Sequence, residues 1–260
     1  MTELKIILDN SYVYIFVFIR MAAAVGFNSV ISRKEVPVMV RTGLVFLMTM
    51  LVAPTVTIPE GYDNSSADLL IGTVREIAVG FLLGYVFNIF YYMLTFVGDV
   101  LDMQFGLSMA KVLDPGTGIQ TAFTGKFINL LFVTYFFATD CHLVLMKTVV
   151  YSFDMVPIGA GNINLEGAVT FGINVFVSAF SLAIRLAFPF VAMEFVLEIG
   201  MGILMKLIPQ IHIFVINMQF KVMLAIVMLM ILAKPITVFL ENYLLVILDQ
   251  MQEALQSLMT

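Results

Sequence analysis

YVYIFVFIRMAAAVGFNSVI, residues 12–31, is long enough to cross a bilayer as a helix yet carries Arg20 near its middle. A hydrocarbon core about 30 Å thick needs ~20 apolar residues in helical form. A charged side chain at that depth costs roughly 2.5–3.5 kcal/mol on insertion scales. The stretch therefore argues for a membrane helix and, equally, for a face of it turned away from lipid. Working outward, further apolar runs occupy 43–58, 77–97, 127–151, 167–193 and 213–233. Three of these repeat the pattern: 127–151 holds Asp140, His142 and Lys147, 167–193 holds Arg185, and 213–233 holds Lys221. With lipid offering no hydrogen-bond partners, runs of this length read as helices, because barrel strands would alternate over shorter segments. The fold class expected is all-α: a multi-pass membrane protein of long helices and helical hairpins whose charges face protein or water.

Composition agrees. Over 260 residues, 61% are hydrophobic and 12% charged, with mean hydropathy +1.04, far from the roughly even apolar share of a soluble domain. The net charge of −5 is spread thinly and forms no basic block, which excludes nucleic-acid binding. The amino-terminal decapeptide carries Glu3, Lys5 and Asp9 and lacks a basic signal-peptide n-region, so the first run is read as retained. Lys and Arg between the runs split six to three, which by the positive-inside rule puts both termini outside.

Catalytic chemistry has little support. Asp140, Cys141 and His142 adjoin in sequence, but consecutive helical positions point about 100° apart and cannot form a triad among themselves. Gly98, Asp99 and Asp102 faintly resemble an aspartyl protease arrangement without its full pattern. One cysteine and two histidines give no metal set, and no phosphate-cradling glycine motif occurs. The chain is read as a non-enzyme with no cofactor and no metal.

Three segments stand out. The stretch 98–125 mixes apolar residues with Gly106, Gly116, Gly118, Gly125 and Pro115, and Asp114-Pro115-Gly116 reads as a turn, so a compact, movable loop is expected. Glu194, Glu198, Met201 and Met205 fall on one helical stripe, which sets two carboxylates a turn apart and in need of a cation, with Arg185 and Lys221 available. In the tail, Leu244, Leu248, Met251, Leu255 and Leu258 recur at spacings of four and three, a seam for a partner helix or for the chain's own core. Small residues four apart, Ala22 with Gly26 and Gly80 with Gly84, permit close helix approach.

Several of these residues together resemble the FliR family of flagellar biosynthesis proteins. They are Arg20, then Pro37, Arg41 and Gly43, Ala53-Pro54, GLSMAKVLDPGTG at 106–118, and KLIPQIHIFVI at 206–216, with Pro209, Gln210 and Phe214 as its most specific positions. The resemblance implies a subunit of the flagellar type III export gate. Such a protein assembles with FliP-like and FliQ-like subunits, alongside FlhB-like and FlhA-like proteins, into a helical pore-containing complex at the basal body, in the bacterial inner membrane. It implies a FliP-like unit over 1–160 and a FliQ-like hairpin over 161–260. It also implies that 106–121 plugs the closed channel, with Gly106, Met109, Asp114, Pro115, Gly116 and Gly118 at the plug, against exported flagellar polypeptides as cargo. Arg20, Arg185, Glu198 and Lys221 are then expected as buried or intersubunit charges; Glu198 sits where the family often has an acid. The chain departs from the family at Asn217 and Gln219, where many relatives have glycine and proline.

Two other readings compete. An SctT-like injectisome subunit shares the same physics. An ion-coupled transporter would use Arg20, Asp140, Arg185 and Glu198 around a midplane site and calls for inverted repeats, of which the sequence has no sign.

Overall fold

In the computed structural model, the described residues are 2–33, 36–56, 66–108, 123–158, 165–208 and 213–258, with the side chains of 2–10, 66–67, 165 and 213–215 excepted. Among them there is helix and no strand. The elements are α1 (Thr2–Gly26), α2 (Val38–Val52) followed by a 3-10 turn (Ala53–Thr55), α3 (Ser66–Gln104), α4 (Phe123–Ala138), α5 (Cys141–Met155), α6 (Leu165–Leu207) and α7 (Ile213–Ser257). Four stretches are long and apolar enough to cross a membrane: Val38–Thr55, Asp68–Gln104, Glu166–Leu207 and Ile216–Ser257; α4 and α5 are each too short to do so alone.

The boundaries differ from the sequence reading throughout: α2 is Val38–Val52 against 43–58, α6 runs on past 193 to Leu207, and the other helices differ as well. Helix α1 stops at Gly26, short of residue 31, because the Asn28 side-chain oxygen accepts hydrogen bonds from the backbone N–H of Val30 and Ile31 (3.0 and 3.1 Å). That is the Asx turn by which asparagine competes with helix. The third run starts earlier and ends later than 77–97: α3 takes in Arg75 and Glu76, and its helix passes through Gly98 to Gln104 before Gly106 adopts a positive φ of 73°. Run 127–151 is not one helix. It breaks at Asp140, which adopts the left-handed conformation (φ 56°) and is exposed, so this acid marks a break and not the middle of a span. Finally, the tail is continuous with the last run in α7, and its seam is covered within this chain, Leu244, Leu248, Met251, Leu255 and Leu258 all being buried.

The chain forms two compact units that interleave along the sequence: Met1–Phe90 with Asp140–Phe176 and Leu245–Thr260, and Tyr91–Thr139 with Val177–Leu244. In the first unit α3 lies on α1. A Cβ built on Gly80 would stand 2.5 Å from the Arg20 carbonyl oxygen and 2.7 Å from the Ala23 Cβ, and one on Gly84 would stand 2.6 Å from the Phe27 Cβ. Gly26, the other small residue expected at such a contact, has nothing within 4 Å. In the second unit the closest approach is glycine on glycine, Gly98 of α3 against the backbone of Gly125 in α4. The same unit holds two edge-to-face ring pairs, Phe132 with Tyr243 and Phe105 with Phe190.

Candidate functional site: charges and glycines within the spans

The first unit is organised around Arg20, which is fully buried. Its Nε donates to Glu76 Oε2 (2.5 Å), Nη1 to the Ser152 carbonyl (2.7 Å) and hydroxyl oxygen (3.3 Å), and Nη2 to the Val156 carbonyl (2.8 Å). The guanidinium lies 4.1 Å from the centre of the Phe153 ring. The planar fork thus takes up a carboxylate from α3 and two carbonyls where α5 ends, that of Ser152 also accepting the Val156 N–H, and so joins three elements through one side chain. Glu76, itself buried, went unnoticed in sequence because it precedes the uncharged run by one residue. A signal was there: Glu76, Gly80 and Gly84 recur every fourth residue, so the acid shares the stripe that the glycines press onto α1. With its three nitrogens engaged, Arg20 has no free fork to offer a transported solute.

The second unit holds the carboxylate pair. Lys221 of α7 answers it: its Nζ is 2.5 Å from Glu198 Oε1 and 4.0 Å from Glu194 Oε2. Glu194 is fully buried and its two oxygens make no hydrogen bond among the described residues, while the Glu198 side chain is 48% exposed. One ammonium facing two carboxylates leaves a net negative charge when all three are ionised. Around Glu198 the surface is apolar, with Phe195, Ile199, Phe220 and Met223 exposed. Arg185 is exposed on α6, outside this cluster. Of the four charges singled out from sequence, the structure thus buries Arg20, brings Glu198 and Lys221 together, and leaves Arg185 on the surface.

Asp102 supplies a third feature. It is 1% exposed, and its carboxylate accepts the backbone N–H groups of Phe123 (2.6 Å) and Thr124 (3.0 Å), the first residues of α4. An acid from a distant helix thereby caps α4, satisfying two of its orphan donors and meeting the positive end of its dipole. Asn129 donates to Thr95 (3.0 Å) along the same pair of helices. Of the loop residues expected at the plug, Gly106 is described; Met109, Asp114, Pro115, Gly116 and Gly118 lie outside the described residues, as do Pro209 and Gln210. Phe214 falls in the first turn of α7, its side chain outside that set.

The family described as bacterial export proteins, family 1, matches residues 11–246. The chain belongs to that family. It is 26% identical over 251 residues to flagellar biosynthetic protein FliR of Bacillus subtilis, covering 96% of each chain. It is 25% identical over 232 residues to the Escherichia coli protein of the same name, covering 88% of this chain and 87% of that one. Yop proteins translocation protein T of Yersinia pestis is 27% identical over 213 residues, 82% of each chain. The family match spans α1 to α7 and takes in Arg20, Glu76, Asp102, Glu194, Glu198 and Lys221.

Proposed function

We infer that this chain is a membrane subunit of the flagellar type III protein export apparatus, part of the polypeptide-conducting channel that flagellum assembly needs. The observation that carries the reading is the end-to-end likeness to a FliR protein, 96% of both chains, on a framework whose helices pair Arg20 with Glu76 and Lys221 with Glu198. The injectisome reading draws on the Yersinia relative, whose identity is 27% against 26% but whose coverage is lower, 82% against 96%. Coverage favours the flagellar branch.

Within that function, FliP-like and FliQ-like subunits are the immediate neighbours, and residues 1–160 and 161–260 correspond to a FliP-like unit and a FliQ-like hairpin. The segment 106–121 serves as the plug of the resting channel. Glu198, half open to the surface in an apolar surround, and Lys221 behind it are intersubunit charges: the excess negative charge on Glu194 and Glu198 suits a basic side chain on a neighbouring helix. Arg185, exposed within a span, suits an acidic one. The test is affinity purification of the tagged chain from membranes of its own cells. Recovery of FliP-like and FliQ-like proteins in fixed ratio supports the reading; a functional chain that purifies alone refutes it.

A further inference from the structure

We propose that a groove along α5 is a binding site for a membrane phospholipid whose headgroup joins a phosphate to a primary ammonium. The groove lies wholly within the first unit and has a volume of about 850 Å3. That is near the upper end of the roughly 300–1,000 Å3 typical of small-molecule sites, enough for a headgroup and the first part of an acyl chain. Met48 of α2 and Gln252 of α7 contribute to its walls, and α5 supplies the rest. Among the α5 residues, Val144, Lys147, Tyr151 and Asp154 recur at spacings of three and four, so they form one stripe of the helix.

Lys147 and Asp154 are exposed, and neither makes a hydrogen bond or ion pair among the described residues. Seven residues separate them, a rise of about 10.5 Å along the axis. This exceeds the three- or four-residue spacing at which helical charges pair. A zwitterionic headgroup fits the gap: two charge-assisted bonds of ~2.8 Å, a P–O bond and ~4–5 Å from phosphorus to ammonium nitrogen together extend to roughly 11–12 Å. The order along the groove also matches the order in the lipid. Leu143 and Val144, apolar and partly exposed, precede Lys147, and the acid comes last. In a glycerophospholipid the acyl chains lie on the phosphate side and the ammonium at the far end. Lys147 therefore takes the phosphate and Asp154 the ammonium, while the first methylenes lie against Leu143, Val144 and Met48. Tyr151, between the two charges on the stripe, adds a hydroxyl donor for a phosphate oxygen. A primary ammonium donates hydrogen bonds to a carboxylate; a quaternary one has no N–H and is held by aromatic cages, which a single tyrosine does not make. A purely anionic headgroup sets like charge against Asp154, and an apolar partner helix would bury both charges without answering either.

The full chain is reconstituted into nanodiscs of phosphatidylcholine holding a small fraction of a phosphatidylethanolamine with a photoreactive diazirine in its acyl chain near the glycerol. Labelled residues are mapped by peptide mass spectrometry. The readout is labelling of residues 143–146 relative to that of Met230 and Ile231, exposed apolar residues of α7 outside the groove. In the unaltered chain this ratio should be several-fold higher for phosphatidylethanolamine than for phosphatidylglycerol carrying the same chain. Lys147→Gln should lower it about tenfold for both lipids, the size of effect expected from one lost charge-assisted hydrogen bond. Asp154→Asn should bring phosphatidylethanolamine down to the phosphatidylglycerol level without reducing the latter, and Lys147→Arg should stay close to the unaltered chain. A merely structural effect of a substitution leaves the ratio unchanged, and that result overturns the proposal. Equal ratios for the two lipids in the unaltered chain, the mark of an unselective lipid annulus, do the same. Labelling is repeated on the chain purified from its own membranes together with its bound proteins. Label on 143–146 there supports the site, whereas its loss means that protein covers the groove and overturns the assignment.

Discussion

At the scale of single residues, the distinction that matters is between a charge that is satisfied and one that is merely accompanied. Arg20 is satisfied: a carboxylate, two carbonyls, a hydroxyl and a ring face surround it. Removing either member of such a buried pair strands the other, typically at 3–5 kcal/mol. Arg20→Ala and Glu76→Ala are each expected to destabilise the chain by about that amount, and the double variant by less than the sum, read as thermal unfolding in detergent. Arg20→Lys should fall only slightly short of alanine, because a point charge cannot reach the four oxygens the fork spans. Lys221 is the contrasting case. Its contact with Glu198 is half exposed and adds little, whereas Glu194 depends on it in a buried site. Lys221→Gln should cost roughly 3 kcal/mol, and adding Glu194→Gln should recover most of that loss while adding Glu198→Gln recovers little.

The elements show how position, more than residue type, decides what a glycine does. Gly80 presses on the carbonyl of Arg20, so Gly80→Ala forces α1 and α3 apart and is expected to cost about 1–3 kcal/mol; Gly98→Ala, against the backbone of Gly125, should be at least as harmful. Gly200 has nothing within 4 Å of a built Cβ and sits inside a helix, so Gly200→Ala should stabilise the isolated chain by about 0.5–1 kcal/mol. Chemical denaturation of the three variants checks the order. The same contrast explains how far the sequence could be read. Long apolar runs announced the helices, and the Gly80 and Gly84 spacing announced a close contact, because both are local patterns. Glu76 and Asp102 were passed over as partners because what they bond to, Arg20 and the start of α4, lies 56 and 21 residues away. The break at Asp140 hides in hydropathy, since a left-handed residue between two apolar helices leaves the average unchanged.

Over the whole molecule, burial is uneven. The span of α3 is half buried within the chain, while that of α7 is 17% buried and that of α2 22%. Apolar residues such as Phe46, Leu47, Met230 and Ile231 stand exposed, which suits lipid or neighbouring subunits. Glu198 and Lys221, set among exposed apolar side chains, suit the second of these. Glu198→Lys reverses the sign at that surface and is expected to reduce co-purified FliP-like and FliQ-like proteins by an order of magnitude while leaving the unfolding temperature of the isolated chain nearly unchanged, since half-exposed ion pairs contribute ~0–1 kcal/mol to folding. Equal losses in both measurements would point to a fold defect instead.

The neighbours of Arg20 also set an order of events at birth. The carbonyls that receive its guanidinium come 132 and 136 residues later in the chain. At ordinary translation speeds of ~5–20 residues per second, the nascent polypeptide waits on the order of ten seconds with a cation inside its first apolar segment that has at most Glu76 of its partners. Something in the insertion machinery has to shield that group until α5 emerges. A ribosome stalled before codon 150 should therefore yield a product that membrane quality-control proteases remove, even though its first four helices are complete.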